Sequence, residues 1–204
     1  MVRSVENAVM RKASEQGNSL IEVIIAIAVF FIGVLSVTNL VFSNLNTVDR
    51  DTDETLRTML AREGIELARM TRDSNWLAGN TFYAGMANGS DYSCVPKWDP
   101  GVDATPIFDC TPQTLADVGA TVILLSSGVG AGAYANQIGG LGGTTTPYQR
   151  LIIMHPICDD KTIKDDGQPC FGSVIGIRVE SQVQSTRKNI TKQTVLFADL
   201  YDWK

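Results

Sequence analysis

Two groups of residues in this 204-residue chain have types and spacings that could do chemistry. Asp159, Asp160, Asp165 and Asp166 crowd the stretch between Cys158 and Cys170. Carboxylates gathered on a short constrained loop are the hard oxygen donors that calcium takes, although their spacing departs from an EF-hand. A solvated acidic loop has the same composition, so the four aspartates are a calcium candidate and no more. The second group, Gly128-Val129-Gly130-Ala131-Gly132-Ala133, satisfies G-x-G-x-x-A behind an apolar run at residues 120–125. A dinucleotide site also needs a helix start after the glycines to hold the pyrophosphate. Here Gly139-Gly140-Leu141-Gly142-Gly143 and three threonines follow, so the segment reads as a surface loop. His155 is the single histidine, which excludes multi-His metal sites. It precedes Pro156 at a strand end and reads as structural. No nucleophile, base and orienting group come together, and neither an enzyme nor a cofactor is expected.

Four cysteines, Cys94, Cys110, Cys158 and Cys170, all lie well after the apolar run, with no C-x-x-C pair among them. Zinc sites usually bring at least one close pair of ligands, so disulfides are the better reading, and they imply an oxidising compartment. Nearest-neighbour pairing, Cys94 with Cys110 and Cys158 with Cys170, would close two loops of little regular structure. Four cysteines allow three connectivities, and free thiols are the alternative.

The element that must position everything else is apolar. Residues 20–42 read LIEVIIAIAVFFIGVLSVTNLVF, with Glu22 as the only charge. A helix of that length is about 34 Å long, enough for a hydrocarbon core of roughly 30 Å. A buried core helix so long would show a polar face, and this one has none. Arg3, Arg11 and Lys12 precede the run, whereas Asp49, Asp51, Asp53 and Glu54 follow it. Bases stay on the cytoplasmic side, so a single pass with the N-terminus inside and the bulk of the chain outside is expected. The net charge of −5 and the scattered bases suggest no nucleic-acid partner.

An ordinary secretory signal has a shorter apolar core with a small-residue cleavage site after it. Here Glu15-Gln16-Gly17-Asn18-Ser19-Leu20-Ile21-Glu22 stands before the run instead. This junction, behind a basic leader and ahead of the apolar run, resembles the type IV prepilin family, including pseudopilins and minor pilins. The resemblance covers residues 1–45 closely and the rest of the long helix more loosely. It implies cleavage between Gly17 and Asn18 by a prepilin peptidase, N-methylation of Asn18, and a register role for Glu22 in a filament. Two positions depart from the family: Asn18 stands where Phe or Met is usual, and Asn39 where proline is frequent. The partners implied are the peptidase, other pilin or pseudopilin subunits, an inner-membrane assembly platform and the lipid bilayer. A membrane-anchored surface binding module that never polymerises is the alternative.

Glu22 calls for a partner on physical grounds alone. A carboxylate inside a membrane helix costs about 2.5–3.5 kcal/mol. Cleavage after Gly17 would free the α-amine of Asn18 four residues away, a second charge to neutralise. Pairing Glu22 of one subunit with that amine on its neighbour satisfies both. A shallow Glu22 reaching the headgroups is the plainer account.

Past the run the helix is expected to continue, with Leu56, Met59, Leu60, Glu63, Leu67 and Met70 on one face and an end near Asp73-Ser74-Asn75. Glu63 on that face needs a bonding partner from a covering strand or loop. Ile65 falls opposite the stripe. Residues 148–154, 173–184 and 193–201 read as strands, with Ile175, Ile177 and Val179 alternating against Gly176, Arg178 and Glu180. The expected fold is α+β and pilin-like: a long N-terminal helix packed on an antiparallel sheet with disulfide-closed loops. Its expected divisions are a removed leader (1–17), a transmembrane or filament-core helix (18–44), its exported continuation (45–76) and a globular head (77–204).

Overall fold

A computed structural model of the chain describes residues 2–86, 92–98, 107–110, 114–116, 121–126, 134–138, 143–164, 168–187 and 189–202, with side chains described from residue 20 onward. The chain divides into two compact units, Met1–Asp51 and Thr52–Lys204. Helix α1 spans Val2–Leu77. It ends where Asn75, Trp76 and Gly79 form a six-residue cap. Gly79 N–H donates to Trp76 O (3.1 Å) and Asn80 N–H to Asn75 O (2.9 Å). Gly79 sits at φ +73°, the left-handed position that such a cap reserves for glycine. The Asn75 side chain then donates to Phe82 O and Ala84 O, which pins the following turn, with its buried Phe82 and Met86, against the helix end.

Among the described residues of the second unit eight strands form: β1 Tyr92–Trp98, β2 Ile107–Asp109, β3 Val122–Ser126, β4 Tyr134–Ala135, β5 Gln137–Ile138, β6 Gly143–Cys158, β7 Val174–Arg187 and β8 Ile190–Tyr201. Strand β6 is the hub. One edge pairs with β7 from Tyr148 to Cys158, and β8 follows β7 as a long hairpin. The other edge is shared end to end, β3 pairing near Gly143–Gln149 and β1 near Ile152–Met154. All pairs are antiparallel except β1 with β5. The fold is therefore α+β, with a long apolar N-terminal helix whose later part packs on a largely antiparallel sheet.

Two disulfides close this sheet's connections. Cys94–Cys110 joins β1 to the residue after β2, and Cys158–Cys170 joins the end of β6 to the segment leading into β7. No free cysteine remains.

The helix face that meets the sheet differs from the one the large apolar residues suggest. Leu60, Ala61, Gly64, Ile65 and Ala68 are buried, whereas Met59 and Met70 are 61% and 40% exposed. Ile65 lies in the core with Ile152, Met154 and Val179 rather than facing outward. The reason is the small-residue stripe Ala61, Gly64 and Ala68, spaced three and four apart on one face. Small side chains let the helix backbone approach the sheet closely, and Ile65 beside them is carried inward while the methionines are left on the flanks. Leu60 and Ala61 pack with Ile123 of β3, Tyr148 of β6 and Val183 of β7 in a second cluster.

Candidate functional site

The first unit holds the residues the sequence marks most strongly. From residue 20 to residue 52 no side chain is buried. Every large apolar side chain from Leu20 to Val48 is 45–66% exposed. Three hydroxyls in this stretch bond back into the helix. Ser36 donates to Ile32 O (2.8 Å), Thr38 to Val34 O (2.5 Å) and Thr47 to Ser43 O (3.0 Å). Hydroxyls that bond back into their own helix need neither water nor a neighbouring group. Apolar surface this continuous exceeds the patches that soluble monomers usually leave exposed. The helix is long and apolar enough to cross a membrane. Glu22 is exposed on it, two residues into this apolar surface. Gly17 and Asn18 lie within α1, so the peptide bond between them is helical here.

In the second unit, buried polar groups gather where α1 meets the sheet. Asp53, the first buried residue along the described helix side chains, forms an ion pair with Arg57 one turn on. Tyr148 Oη donates to its Oδ1 and Ser185 Oγ to its Oδ2, both at 3.0 Å. Arg187 Nε stands 3.5 Å from Oδ1. Arg57 also donates to Ser185 Oγ (3.0 Å) and Thr194 Oγ1 (3.2 Å), so one helical turn is stitched to β6, β7 and β8 together. Burial pushes the Asp53 carboxyl up. The hydrogen bonds from Tyr148 and Ser185 and the charges of Arg57 and Arg187 outweigh it and hold the group below the usual carboxylate range. Burial and the bond to Asp53 push the Tyr148 phenol up.

One turn further on, Arg150 is 1% exposed. Its Nε donates to Asn136 Oδ1 (2.9 Å), and its Nη1 donates to Leu60 O (3.2 Å) and lies 3.2 Å from Glu63 Oε2. Burial pushes this guanidinium below its usual value, opposed by Glu63. Glu63 thus has the strand partner its place on the helix calls for. Arg150 itself was legible only as an inward-phase base between Tyr148 and Ile152, a position where alternation expects an apolar residue.

The residues singled out for other chemistry are structural or lie elsewhere. Asp159 accepts from Ser173 N–H (3.3 Å), while Asp160 accepts from Thr162 N–H (2.9 Å) and Oγ1–H (2.6 Å). Asp165 and Asp166 lie outside the described residues, as do Gly128 to Ala133. Among the described residues no three His, Cys, Asp or Glu side chains are grouped as metal ligands. His155 Nε2 faces Glu180 Oε2 at 3.3 Å across β6 and β7. The polar clusters therefore fasten a helix to a sheet, and the exposed apolar stretch of α1 lies outside them. Comparison with protein-family models, curated proteins and solved structures finds no match to this chain.

Proposed function

We propose that this chain is a structural and assembly subunit of the type IV pilin-like class, a minor pilin or pseudopilin of a pilus, type II secretion or DNA-uptake filament. A prepilin peptidase cuts after Gly17, α1 anchors the mature chain in the cytoplasmic membrane, and the disulfide-bonded head lies outside. After extraction from the membrane the same apolar helix packs among those of other subunits, with Glu22 facing the Asn18 amine of a neighbour.

One observation carries the reading. A carboxylate sits four residues after Asn18 of the Gly–Asn junction, near the start of the stretch of α1, Leu20 to Val48, whose large apolar side chains are all exposed. Lipid would cover that surface, and within a filament a neighbouring mature N-terminus would supply Glu22 with a counter-charge. The alignment of Gly17, Leu20, Ile21 and Glu22 with the prepilin junction supports the same assignment.

N-terminal sequencing of the protein recovered from membranes tests it. The expected first residue is Asn18, and Gly17→Leu should leave the leader attached. A mature chain beginning at residue 1, or beyond residue 40, overturns the assignment.

A further inference from the structure

We propose that the free edge of β8 pairs with the same edge of a second copy of this chain, joining two heads through one antiparallel ladder. Among the described residues β8 pairs with no strand but β7. One bond fixes which of its backbone groups stay open: Asp202 N–H donates to Ile175 O (3.0 Å). From there the β7–β8 ladder runs without a shift from Gly176–Tyr201 to Arg187–Ile190. Amides alternate along such a ladder, so Leu200, Ala198 and Leu196 turn theirs to β7. Tyr201, Asp199, Phe197, Val195 and Gln193 turn theirs to the edge. Edge strands are usually blunted by proline, a bulge or charges. Here residues 193–198 read Gln-Thr-Val-Leu-Phe-Ala, without a charge or a proline, and Phe197 is 59% exposed.

The strand's own sequence says what covers it. Antiparallel pairing centred on Leu196 overlaps the strand from Thr191 to Tyr201 and sets Val195 beside Phe197 of the other copy, twice. Asp199 then falls opposite Gln193, so no like charges oppose each other. Lys192 falls opposite Leu200 and diagonal to Asp202 of the other copy, on the same face and within reach of a long side chain. Lys192 and Asp202 are both exposed, and the two-fold makes their ion pair twice. A strand of another sequence would have to match two charges ten residues apart that this one matches by itself.

Such a pair is isologous and closed, whereas a filament whose subunits all point one way is built from head-to-tail contacts. On the filament reading above, the paired chains are therefore those outside the filament.

The test uses the full chain in dodecylmaltoside micelles, with unlabelled and heavy-isotope-labelled protein mixed before carbodiimide coupling. Lys192 and Asp202 lie about 33 Å apart along one extended strand, so a zero-length bond between them has to join two chains. A mixed-isotope peptide linking Lys192 to Asp202 is expected, together with dimers in sedimentation. Lys192→Glu should lower the dimer fraction several-fold, and Lys192→Glu with Asp202→Lys should restore it. Val195→Pro removes an N–H that points to the edge, so it should abolish the dimer and leave thermal unfolding of the head nearly unchanged. Absence of the mixed peptide overturns the pairing. So does a dimer that survives Val195→Pro, because another surface then holds the two chains. Cleavage at Gly17 is read separately, so either result leaves the filament assignment standing.

Discussion

Gly64 of α1 and Ser181 of β7 meet so closely that a Cβ added to Gly64 would stand 2.5 Å from Ser181 Oγ. The next atom, Ile152 Cδ1, would be 3.2 Å away. Ser181 is fully buried, and its hydroxyl has no hydrogen-bond partner among the described residues. The contact therefore sets how near the helix lies to the sheet at the cost of an unsatisfied polar atom.

Gly64→Ala should destabilise the head by about 1–3 kcal/mol through overpacking, despite alanine's better helix propensity. Ser181→Ala removes both the obstructing oxygen and its desolvation penalty, so it should be neutral or stabilising. The double variant should recover most of the loss, a coupling that a thermal-unfolding double-mutant cycle measures directly. Strictly additive effects would mean that the two residues do not set the spacing.

Asp53 makes stability depend on acid. Its carboxyl is held below the usual range in the folded chain, so the stabilisation is complete above the unfolded value of about 3.9. It is lost as pH falls through the lower folded value. Unfolding temperature should drop below about pH 4, and Asp53→Asn should flatten that part of the profile. At neutral pH the same variant leaves Arg57 buried without its counter-charge and should cost about 3–5 kcal/mol. An unchanged acid limb in the variant would show that other carboxylates govern it.

Arg150 separates charge from shape. Arg150→Ala should destabilise by several kcal/mol, since it opens a cavity and leaves Asn136 Oδ1 and Leu60 O without this donor. Arg150→Lys keeps the charge but has no planar fork to serve Asn136, Leu60 and Glu63 at once, and should recover only part of the loss. Full recovery with lysine, read from denaturant midpoints, would mean that charge alone matters.

Glu22 distinguishes a filament contact from a tolerated carboxylate. If it neutralises the Asn18 amine of a neighbour, Glu22→Ala leaves that cation unpaired in an apolar surrounding, at about 3–5 kcal/mol. Cleavage at Gly17 should continue, because the peptidase reads the junction, while incorporation falls sharply. Glu22→Gln should fall with it, since it keeps the shape and loses the charge. The measurement is the fraction of processed protein that co-purifies with sheared filaments. Wild-type incorporation of both variants would make Glu22 a passenger.

Much of this was legible in the chain because it depends on local pattern. An apolar run without a polar face, a single carboxylate near its start and a Gly–Asn junction before it are all one-dimensional facts. So is the alternation at Ile175, Ile177 and Val179 that marks β7 and turns Ser181, Val183 and Ser185 inward in phase. The tertiary structure alone decided which face of α1 is buried. Side-chain size along the helix favours the stripe through Met59, Leu60 and Met70. The sheet instead seats on Ala61, Gly64 and Ala68, because close backbone approach buries Ile65 and brings Ile152 and Val183 onto the helix. It also decided that Asp53, Arg57 and Arg150 are interior. Burying a charge is favourable only where partners converge on it, and these come from Asn136, Tyr148, Ser185, Arg187 and Thr194, far along the chain on strands that only the fold brings together.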